Sequence, residues 1–382
     1  MKRLFRRLLR GVGLAAASAL VLSLATAAGD PHPLATAPAG PPDATAPTER
    51  VGALHVHTRA SDGGGTLDDV AEAALDAGLD FVAVTDHHAR PLTTPARRAG
   101  VLLVVGEELR VPDGHVVVLG GAATGAPELR IAAHPEGPTR PWRGAGRAGF
   151  DALEVWNWDS DWRDDGLRDW AGALALLMWK PEAAMLRLID RPAASLERWD
   201  ALLTEGEPVP GLCAVDAHQR VTLGAAGALP FPRYRDLFRL ARMHVWLDDD
   251  APRAPVDEAA AVVEALRRGR AFCAFDARAD SRGTRVWAAG PGGTAGPGQT
   301  LVWSDPPPTL SVRVPDPGKP VEIVVVRAGE GPVHRVPGPE ALALPLPGPG
   351  VYRVEVSLLR GRRAVPWILT NPLRIVEAGP EG

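Results

Sequence analysis

Short apolar runs alternate with amphipathic stretches from about Val51 onwards, and this alternation predicts the architecture of most of the chain. Short apolar runs between turn residues are typical of buried strands, whereas apolar positions three or four residues apart indicate helices. The predicted strands are Val51–Val56, Phe81–Val84, Val101–Val105, Val116–Leu119, Leu129–Ala133, Ala152–Trp156 and Leu212–Val215. The predicted helices are Leu67–Ala77, Pro181–Ile189, Ser195–Thr204, Tyr234–Ala241 and Val256–Arg268. Strands that alternate with helices favour an α/β fold with a parallel barrel or sheet.

The pattern changes at about Asp280, where helical periodicity ends and turns rich in proline and glycine separate β-like runs. These runs are Thr284–Ala288, Thr309–Val314, Val321–Arg327, Gly350–Leu358 and Leu373–Val376. They predict a small all-β sandwich over residues 280–382. It contains no ligand-like cluster, which favours a structural role over contact with carbohydrate or a cell surface.

The N-terminus has the pattern of a secretory signal peptide over residues 1–28. A basic head precedes an apolar stretch from Val12 to Leu24, and Ala25-Thr26-Ala27 follows as a small-residue cleavage pattern. The alternative is an uncleaved anchor. Residues 29–50, rich in proline and alanine, are predicted to be a disordered linker. The expected location is therefore periplasmic, extracellular or cell-surface, without stable membrane insertion after cleavage.

Composition narrows the possible partners. A net charge of −4 argues against nucleic-acid binding through a broad basic patch, and a small-molecule substrate is expected instead. The hydrophobic content of 46% is enough for a sizeable core. Cys213 and Cys273 each lie in an apolar run, and the sequence leaves open whether they form a disulfide or remain two buried thiols. The oligomeric state is likewise open.

Polar residues that follow the predicted strands form the candidate site. In order they are His55, His57, Asp62, His87, Glu108, His115, His134, Asp216 and His218. His55 and His57 are two positions apart on a strand and are therefore expected to point to the same face. Neutral imidazole and carboxylate are the usual ligands of Zn²⁺, Mn²⁺ and Fe²⁺. A single histidine after a strand is usually structural, but histidines and carboxylates at the end of successive strands indicate a metal centre.

The order of these motifs resembles the PHP family, named after polymerase and histidinol phosphatase domains. The matching pieces over residues 51–225 are His-Val-His with Ser-Asp-Gly, Thr-Asp-His, Gly-Glu-Glu, the later His115, His134-Pro135 and Asp-Ala-His. Two further stretches, residues 267–275 and 366–372, resemble its carbaryl-hydrolase-type branch. The resemblance implies a metal-dependent hydrolase on a distorted seven-stranded β/α barrel over residues 51–279.

The resemblance also implies two or three divalent metal ions, with zinc, manganese and iron as candidates. His55, His57, Glu108 and Asp216 would hold the first, Glu108 with His115 and His134 the second, and Asp62, His87 and His218 the third. Asp62 stands where some relatives have histidine. His88 competes with His87 as a ligand or contacts substrate, and Asp86 is expected to support the site. Asn157 and Arg59 are candidate substrate contacts, the alternative for Arg59 being a solvated loop residue.

The expected activity is hydrolysis by a metal-bridged hydroxide, with phosphate esters as the first substrate class. Asp216 and His218 are the expected catalytic residues, and His218 would protonate the leaving group. A tryptophan-rich segment that includes Trp158 and Trp162 suits the alternative, an ester or carbamate hydrolase of the carbaryl type. The second alternative is an inactive metal-containing binding protein.

Overall fold

The computed structural model describes residues 47–378, apart from residues 139, 165, 167–170, 174, 177–179, 207, 223–227, 249–252, 339–340 and 362. The predicted signal peptide and most of the predicted linker lie outside the described residues. The end of that linker, residues 48–50, belongs to the first strand. None of the described helices is long and apolar enough to cross a membrane.

The elements up to residue 279 include every strand and helix that the apolar pattern predicts, most with shifted ends. The strands are β1 (Thr48–Val56), β2 (Phe81–Val84), β3 (Ala96–Arg98), β4 (Val101–Val111), β5 (Gly114–Leu119), β6 (Leu129–Ala132), β7 (Ala152–Asn157), β8 (Gly211–Ala214), β9 (Val221–Thr222), β10 (Ala228–Leu229), β11 (Arg242–Leu247) and β12 (Ala271–Ala274). The described helices are α1 (Leu67–Ala77), α2 (Trp158–Asp164), α3 (Pro181–Arg187), α4 (Ala193–Leu203), α5 (Tyr234–Leu240) and α6 (Pro255–Arg267), and Gly121–Ala123 forms a 3₁₀ turn.

Helix α1 begins and ends at the predicted residues because its sequence encodes both ends. The Thr66 hydroxyl accepts a hydrogen bond from the Asp69 N–H at 3.2 Å, and the Asp69 carboxylate accepts one from the Thr66 N–H at 2.7 Å. These reciprocal bonds satisfy two of the donors that a helix start leaves free. At the other end Gly78 adopts a φ of 72°, a conformation that glycine reaches without a steric penalty.

Hydrogen bonds join most of these strands into one large sheet of mixed direction. Its order from β11 is β11–β1–β2–β4–β5–β6–β7–β8. Strands β1, β2 and β4 run parallel, as do β6, β7 and β8. The stretch β4–β5–β6 is antiparallel, unlike the parallel arrangement that the pattern predicts. The cause is the tight turn after Val111, which returns the chain directly beside β4.

The residues that follow β8 form hydrogen bonds with the end of β1. The Val215 N–H donates to the Leu54 carbonyl at 3.1 Å, the Ala217 N–H donates to the His55 carbonyl at 3.0 Å, and the His57 N–H donates to the Ala217 carbonyl at 3.0 Å. The carboxyl ends of β1 and β8 therefore lie side by side, which brings the polar residues that follow them to one place.

The chain after residue 279 is all-β, as predicted. Its strands are β13 (Arg285–Gly290), β14 (Gly293–Ala295), β15 (Thr300–Val302), β16 (Thr309–Arg313), β17 (Val321–Arg327), β18 (Gly331–Pro337), β19 (Ala341–Pro345), β20 (Gly350–Arg360), β21 (Arg363–Thr370) and β22 (Leu373–Val376). Strands β14–β13–β16–β19 form a four-stranded sheet, whereas β21 pairs with β12 and so joins the large sheet. Apolar side chains from both sheets, such as Val312 and Val354, share one core. The large sheet thus crosses the boundary predicted after residue 279.

The two cysteines form a disulfide. Cys213 in β8 and Cys273 in β12 have Cα atoms 5.6 Å apart, within the range that a disulfide requires. Of the two states that the sequence leaves open, the structure has the paired one. The disulfide links β8, which precedes Asp216, to β12, which precedes the C-terminal segment.

Candidate metal centre

Four buried side chains converge at the carboxyl ends of β1, β4 and β8. His55 Nε2 lies 3.2 Å from Glu108 Oε2 and 3.4 Å from Asp216 Oδ1, while His57 Nε2 lies 3.4 Å and 3.2 Å from the same two oxygens. The two imidazoles thus face the same pair of carboxylate oxygens. The structure brings together the residues expected to hold the first metal.

The ligand atoms of this group are buried and short of partners. His55 Nε2, His57 Nε2 and Asp216 Oδ1 have no hydrogen-bond partner. Buried polar atoms without partners are costly and need an explanation. Two imidazole nitrogens and two carboxylate oxygens are a donor set that suits Zn²⁺, Mn²⁺ or Fe²⁺. The residues therefore fit a divalent cation.

Glu108 extends the cluster with its other oxygen. Oε1 lies 2.5 Å from His115 Nδ1 and 3.2 Å from His134 Nε2. Glu108 Oε2 also lies 3.0 Å from His87 Nδ1. The ligand atoms of His87, Glu108 and His115 form a second group that could hold a cation. Glu108 is therefore placed to bridge two cations, and His115 returns beside it as the turn between them predicts.

A third group lies nearer the solvent. Asp62 Oδ1 lies 3.4 Å from His218 Nε2 and 3.5 Å from His57 Nδ1, and Asp62 Oδ2 lies 3.5 Å from His87 Nε2. These four residues form the remaining candidate group among the described residues. A neutral imidazole offers one lone pair, so His57 and His87 can each serve only one of the groups they touch.

Asp86 holds the loop that carries Asp62. Its carboxylate accepts hydrogen bonds from the Thr58 N–H at 2.7 Å, the Thr58 hydroxyl at 2.8 Å and the Ser61 hydroxyl at 2.6 Å. From the other side, the Tyr234 hydroxyl donates to the His57 carbonyl at 2.7 Å. Asp86 therefore supports the site without facing a cation position itself.

Three of the convergent residues have left-handed backbone conformations. The φ angle is 63° at His55, 32° at His134 and 44° at Asp216. Such angles are uncommon for residues other than glycine and are frequent at functional sites. At His55 the turn coincides with an irregularity in the pairing of β1 with β2. The backbone is therefore strained at three of the residues whose ligand atoms converge.

The carboxyl groups of the cluster are held in their ionised form. Burial alone would raise the pKa of Glu108, but the facing imidazoles, His55 above all, outweigh burial and hold that pKa well below its usual range. The same balance lowers the pKa of Asp216, again chiefly through His55. Burial would raise the pKa of Asp62 too, but the nearby His218 imidazole lowers it. Ionised carboxylates are the form that binds cations.

The facing carboxylates raise the pKa of two imidazoles of the cluster, those of His55 and His218. Burial would lower the pKa of His55, but Asp216 and neighbouring glutamates raise it well above its ordinary value. Burial would also lower the pKa of His218, but Asp62 and Asp216 raise it to about 9. At His87 burial prevails and the pKa is lowered. Because cations bind neutral imidazole, their binding to this cluster must release protons.

Glu154, which lies behind the cluster, is a site residue that the strand-end pattern does not predict. It is buried in β7, and its carboxylate lies 2.7 Å from His55 Nδ1 and accepts hydrogen bonds from the His134 N–H at 2.7 Å and the Asn157 side-chain amide at 2.8 Å. A single charged residue within the apolar run Ala152–Trp156 was the available signal. Buried acidic residues are rare unless paired.

The cluster forms the floor of a cavity of about 920 Å³. His88 lines this cavity and is exposed, as a substrate contact would be. Asn157 is buried behind Asp216, with its amide nitrogen 3.4 Å from Asp216 Oδ2, and does not line the cavity. Arg59 donates to the Gly64 carbonyl at 2.8 Å and is also outside the cavity lining. The structure therefore places only His88 of the three predicted substrate contacts at the cavity.

Arginines that the sequence did not single out line the same cavity: Arg110, Arg140, Arg163 and Arg220. Arg163 is paired with Asp159 and stacks on Trp162, with its guanidinium carbon 4.4 Å from the ring centroid. Trp158 and Trp162 supply an aromatic wall. The cavity thus offers positive charge and aromatic surface above the candidate metal site.

Comparison with known proteins does not identify a family for the chain. No family model matches the chain, and no curated protein matches it. Among solved structures, the chain is similar to a two-domain protein from Bacteroides vulgatus that contains a predicted PHP-like metal-dependent phosphoesterase. The sequences are 13% identical, the TM-score is 0.33, and the match covers 85% of this chain and 95% of that chain. A likeness this slight does not indicate a function for the chain.

Proposed function

We propose that the protein is a metal-dependent hydrolase of the PHP type that acts on phosphate esters. The observation that carries this proposal is the convergence of His55 Nε2, His57 Nε2 and Asp216 Oδ1, all without hydrogen-bond partners, around Glu108. The order of the ligand motifs along the chain supports the same conclusion. Zn²⁺, Mn²⁺ and Fe²⁺ are the candidate cations, in two or three positions.

We also propose that β1, β2 and β4–β8 form a closed, distorted seven-stranded barrel. The hydrogen bonds between the ends of β8 and β1 support closure. The candidate site then lies at the carboxyl ends of barrel strands, which is where α/β barrels place their active sites.

Cations bound in this cluster would supply a Lewis acid and would lower the pKa of water towards neutrality. The chain's own residues supply orientation. Glu154 accepts from His55 Nδ1 and so leaves Nε2 free to bind. His218 donates from Nδ1 to the Asp216 carbonyl at 2.9 Å and presents Nε2 to the cavity. There it either ligates a cation with Asp62 or gives a proton to the leaving group.

The charge of the cavity supports an anionic substrate. Arg110 and Arg220 follow Glu108 and His218 by two positions and line the cavity. The fold brings Arg140 and Arg163 to the same cavity wall. Arginine is well suited to binding phosphate and carboxylate groups. The second candidate, an ester or carbamate hydrolase of the carbaryl type, is favoured by the aromatic wall of Trp158 and Trp162.

Export is part of the proposal. The signal-like N-terminus supports it, as does the disulfide between Cys213 and Cys273, because disulfides persist in oxidising compartments.

The proposal is tested by metal analysis of protein prepared without chelators, followed by assays with phosphomonoesters, phosphodiesters, aryl esters and carbamates. We expect bound divalent metal and hydrolysis of phosphate esters that a chelator and His57→Ala both abolish. Hydrolysis that survives both treatments would refute a metal-dependent mechanism. Bound metal with hydrolysis of carbamates alone would favour the second candidate.

A further inference from the structure

One face of the β4–β5 hairpin carries an arginine just beyond the metal cluster. Glu108 and Arg110 are two positions apart on β4 and so point to the same face. In the register of the hairpin Arg110 lies directly opposite His115. Since two residues along a strand span about 7 Å, the Arg110 side chain leaves the strand about that far from Glu108.

A second arginine reaches the same place from the loop after β6. The Arg140 guanidinium lies 3.0 Å from His115 Nε2, and the Arg140 carbonyl oxygen lies 3.2 Å from His134 Nδ1. A guanidinium has donors only, so it bonds to His115 Nε2 while the imidazole proton is on Nδ1. When His115 binds a cation through Nδ1, its proton moves to Nε2 and the Arg140 guanidinium is released to the cavity. Arg110 is thus the cross-strand neighbour of His115, Arg140 contacts His115, and both arginines line the cavity.

These two positive charges are not neutralised. Within the part of the chain that the structure describes, neither guanidinium forms an ion pair. Of the carboxylates that line the cavity, Asp159 is paired with Arg163, and the others belong to the cation cluster. An unpaired arginine pair beside a reaction centre is suited to an anionic oxygen group of a ligand.

We propose that Arg110 and Arg140 form an anion subsite, and that the natural substrate is a phosphate ester with a second anionic group. This inference rests on the proposed phosphoesterase function. The phosphoryl group would occupy the floor above Glu108. The second group, a carboxylate or a further phosphate, would lie about two strand residues away, between the two arginines.

The test compares matched substrates with the metal-loaded protein. These are 4-carboxyphenyl phosphate and 4-carbamoylphenyl phosphate, which have similar size and differ in the charge of the distal group. We expect the carboxylate substrate to have a kcat/KM about tenfold higher, the size of effect that one charge-assisted interaction produces. Arg110→Gln and Arg140→Gln should each bring the ratio towards one.

Arg90→Gln is the matched control, because Arg90 pairs with Glu107 and lies outside the cavity lining. This variant should keep the ratio of the parent protein. All three arginines are exposed, so the substitutions remove no buried packing.

Failure of the subsite and failure of the proposed function give different results. A ratio near one, with both phosphates still hydrolysed, would overturn the subsite and leave the phosphoesterase standing. If neither phosphate is hydrolysed, calorimetric binding of 4-carboxybenzylphosphonate and 4-carbamoylbenzylphosphonate decides the question without turnover. Equal affinities for the two phosphonates would overturn the subsite, whereas tighter carboxylate binding that Arg110→Gln weakens would support it.

Discussion

The carboxylate of Glu154, buried behind the candidate metal cluster, lies 2.7 Å from Nδ1 of His55, a buried member of that cluster. The same carboxylate holds the backbone of His134 and the side chain of Asn157. One acidic side chain therefore sets the tautomer of one candidate ligand and the position of another. Such supporting contacts are part of a metal site as much as its ligands are.

Replacing this carboxylate should weaken metal binding more than it weakens the fold. Glu154→Gln keeps the shape of the side chain but removes the negative charge that favours an Nδ1–H on His55. We expect metal affinity to fall about 10- to 100-fold, measured by competition with a chromophoric chelator. Glu107→Gln, which removes a half-buried carboxylate that is paired with Arg90 and lies outside the cluster, is the control. Equal affinities in the two variants would contradict the role of Glu154.

Metal should also stabilise the folded chain, because the cluster exists only in the folded state. At a free metal concentration a hundred times Kd, the free energy of unfolding should rise by about 2.7 kcal/mol. Thermal unfolding with metal and with chelator measures this effect. In His57→Ala the gain in stability on adding metal should be smaller, because the variant lacks a buried ligand of two candidate groups. A metal-induced rise of the same size in parent and variant would argue against the cluster.

A buried ion cluster around a single histidine, outside the cavity lining, should make stability depend on pH. His244 is fully buried, with Nδ1 2.6 Å from Glu49 Oε1 and Nε2 3.0 Å from Asp276 Oδ2. Burial would lower the pKa of His244, but the two carboxylates raise it to about 9. Arg242 and Arg285 also face these carboxylates, Arg242 towards Asp276 and Arg285 towards Glu49.

The folded-state pKa of His244 is therefore above the unfolded value of about 6.5. The stability that this ion cluster contributes is complete below that value and is lost as pH rises towards 9. The loss should be on the order of 3 kcal/mol. Urea unfolding at pH 6 and pH 9.5 measures it, with His244→Gln as the comparison. A fall in stability of the same size in both proteins would show that other groups cause it.

Loss of the disulfide should destabilise the protein without removing a residue from the cavity. The bond links residues that are 60 positions apart, and closing a loop of that length contributes roughly 4 kcal/mol. Cys213→Ala combined with Cys273→Ala should lower the midpoint of urea unfolding accordingly. Thiol titration of the unfolded, unreduced parent protein should find no free thiols. Two titratable thiols there would contradict the pairing.

The local parts of the fold are predictable because local residues encode them. The capping box at Thr66 defines the start of α1, and the turn before Gly114 returns His115 to Glu108. Most of the ligand residues are recognisable because they lie at the ends of apolar runs, His115 before its run and His87, His134 and Asp216 after theirs. These features depend on contacts that are close along the chain.

What the sequence does not predict depends on contacts between distant segments. Strand β4 continues past Val105 because β5 pairs with it. Glu154 faces His55 only because β7 and β1 come together, and Arg140 reaches His115 from another loop. Arg59 adjoins the ligands in sequence but turns away to Gly64. Arg110 and Arg220, which lie two positions beyond Glu108 and His218, do line the cavity. Proximity to a ligand along the chain therefore does not by itself decide which arginines line the cavity.

The pairing of β12 with β21 makes the two predicted domains partners in one sheet. A chain cut after residue 279 would leave the backbone donors and acceptors of Phe272–Ala274 without that pairing partner. A bare apolar strand edge of this kind is a template for aggregation. The C-terminal segment thus covers the exposed edge of β12, and a chain shortened to residue 279 would need polar or charged residues along that edge to stay in solution.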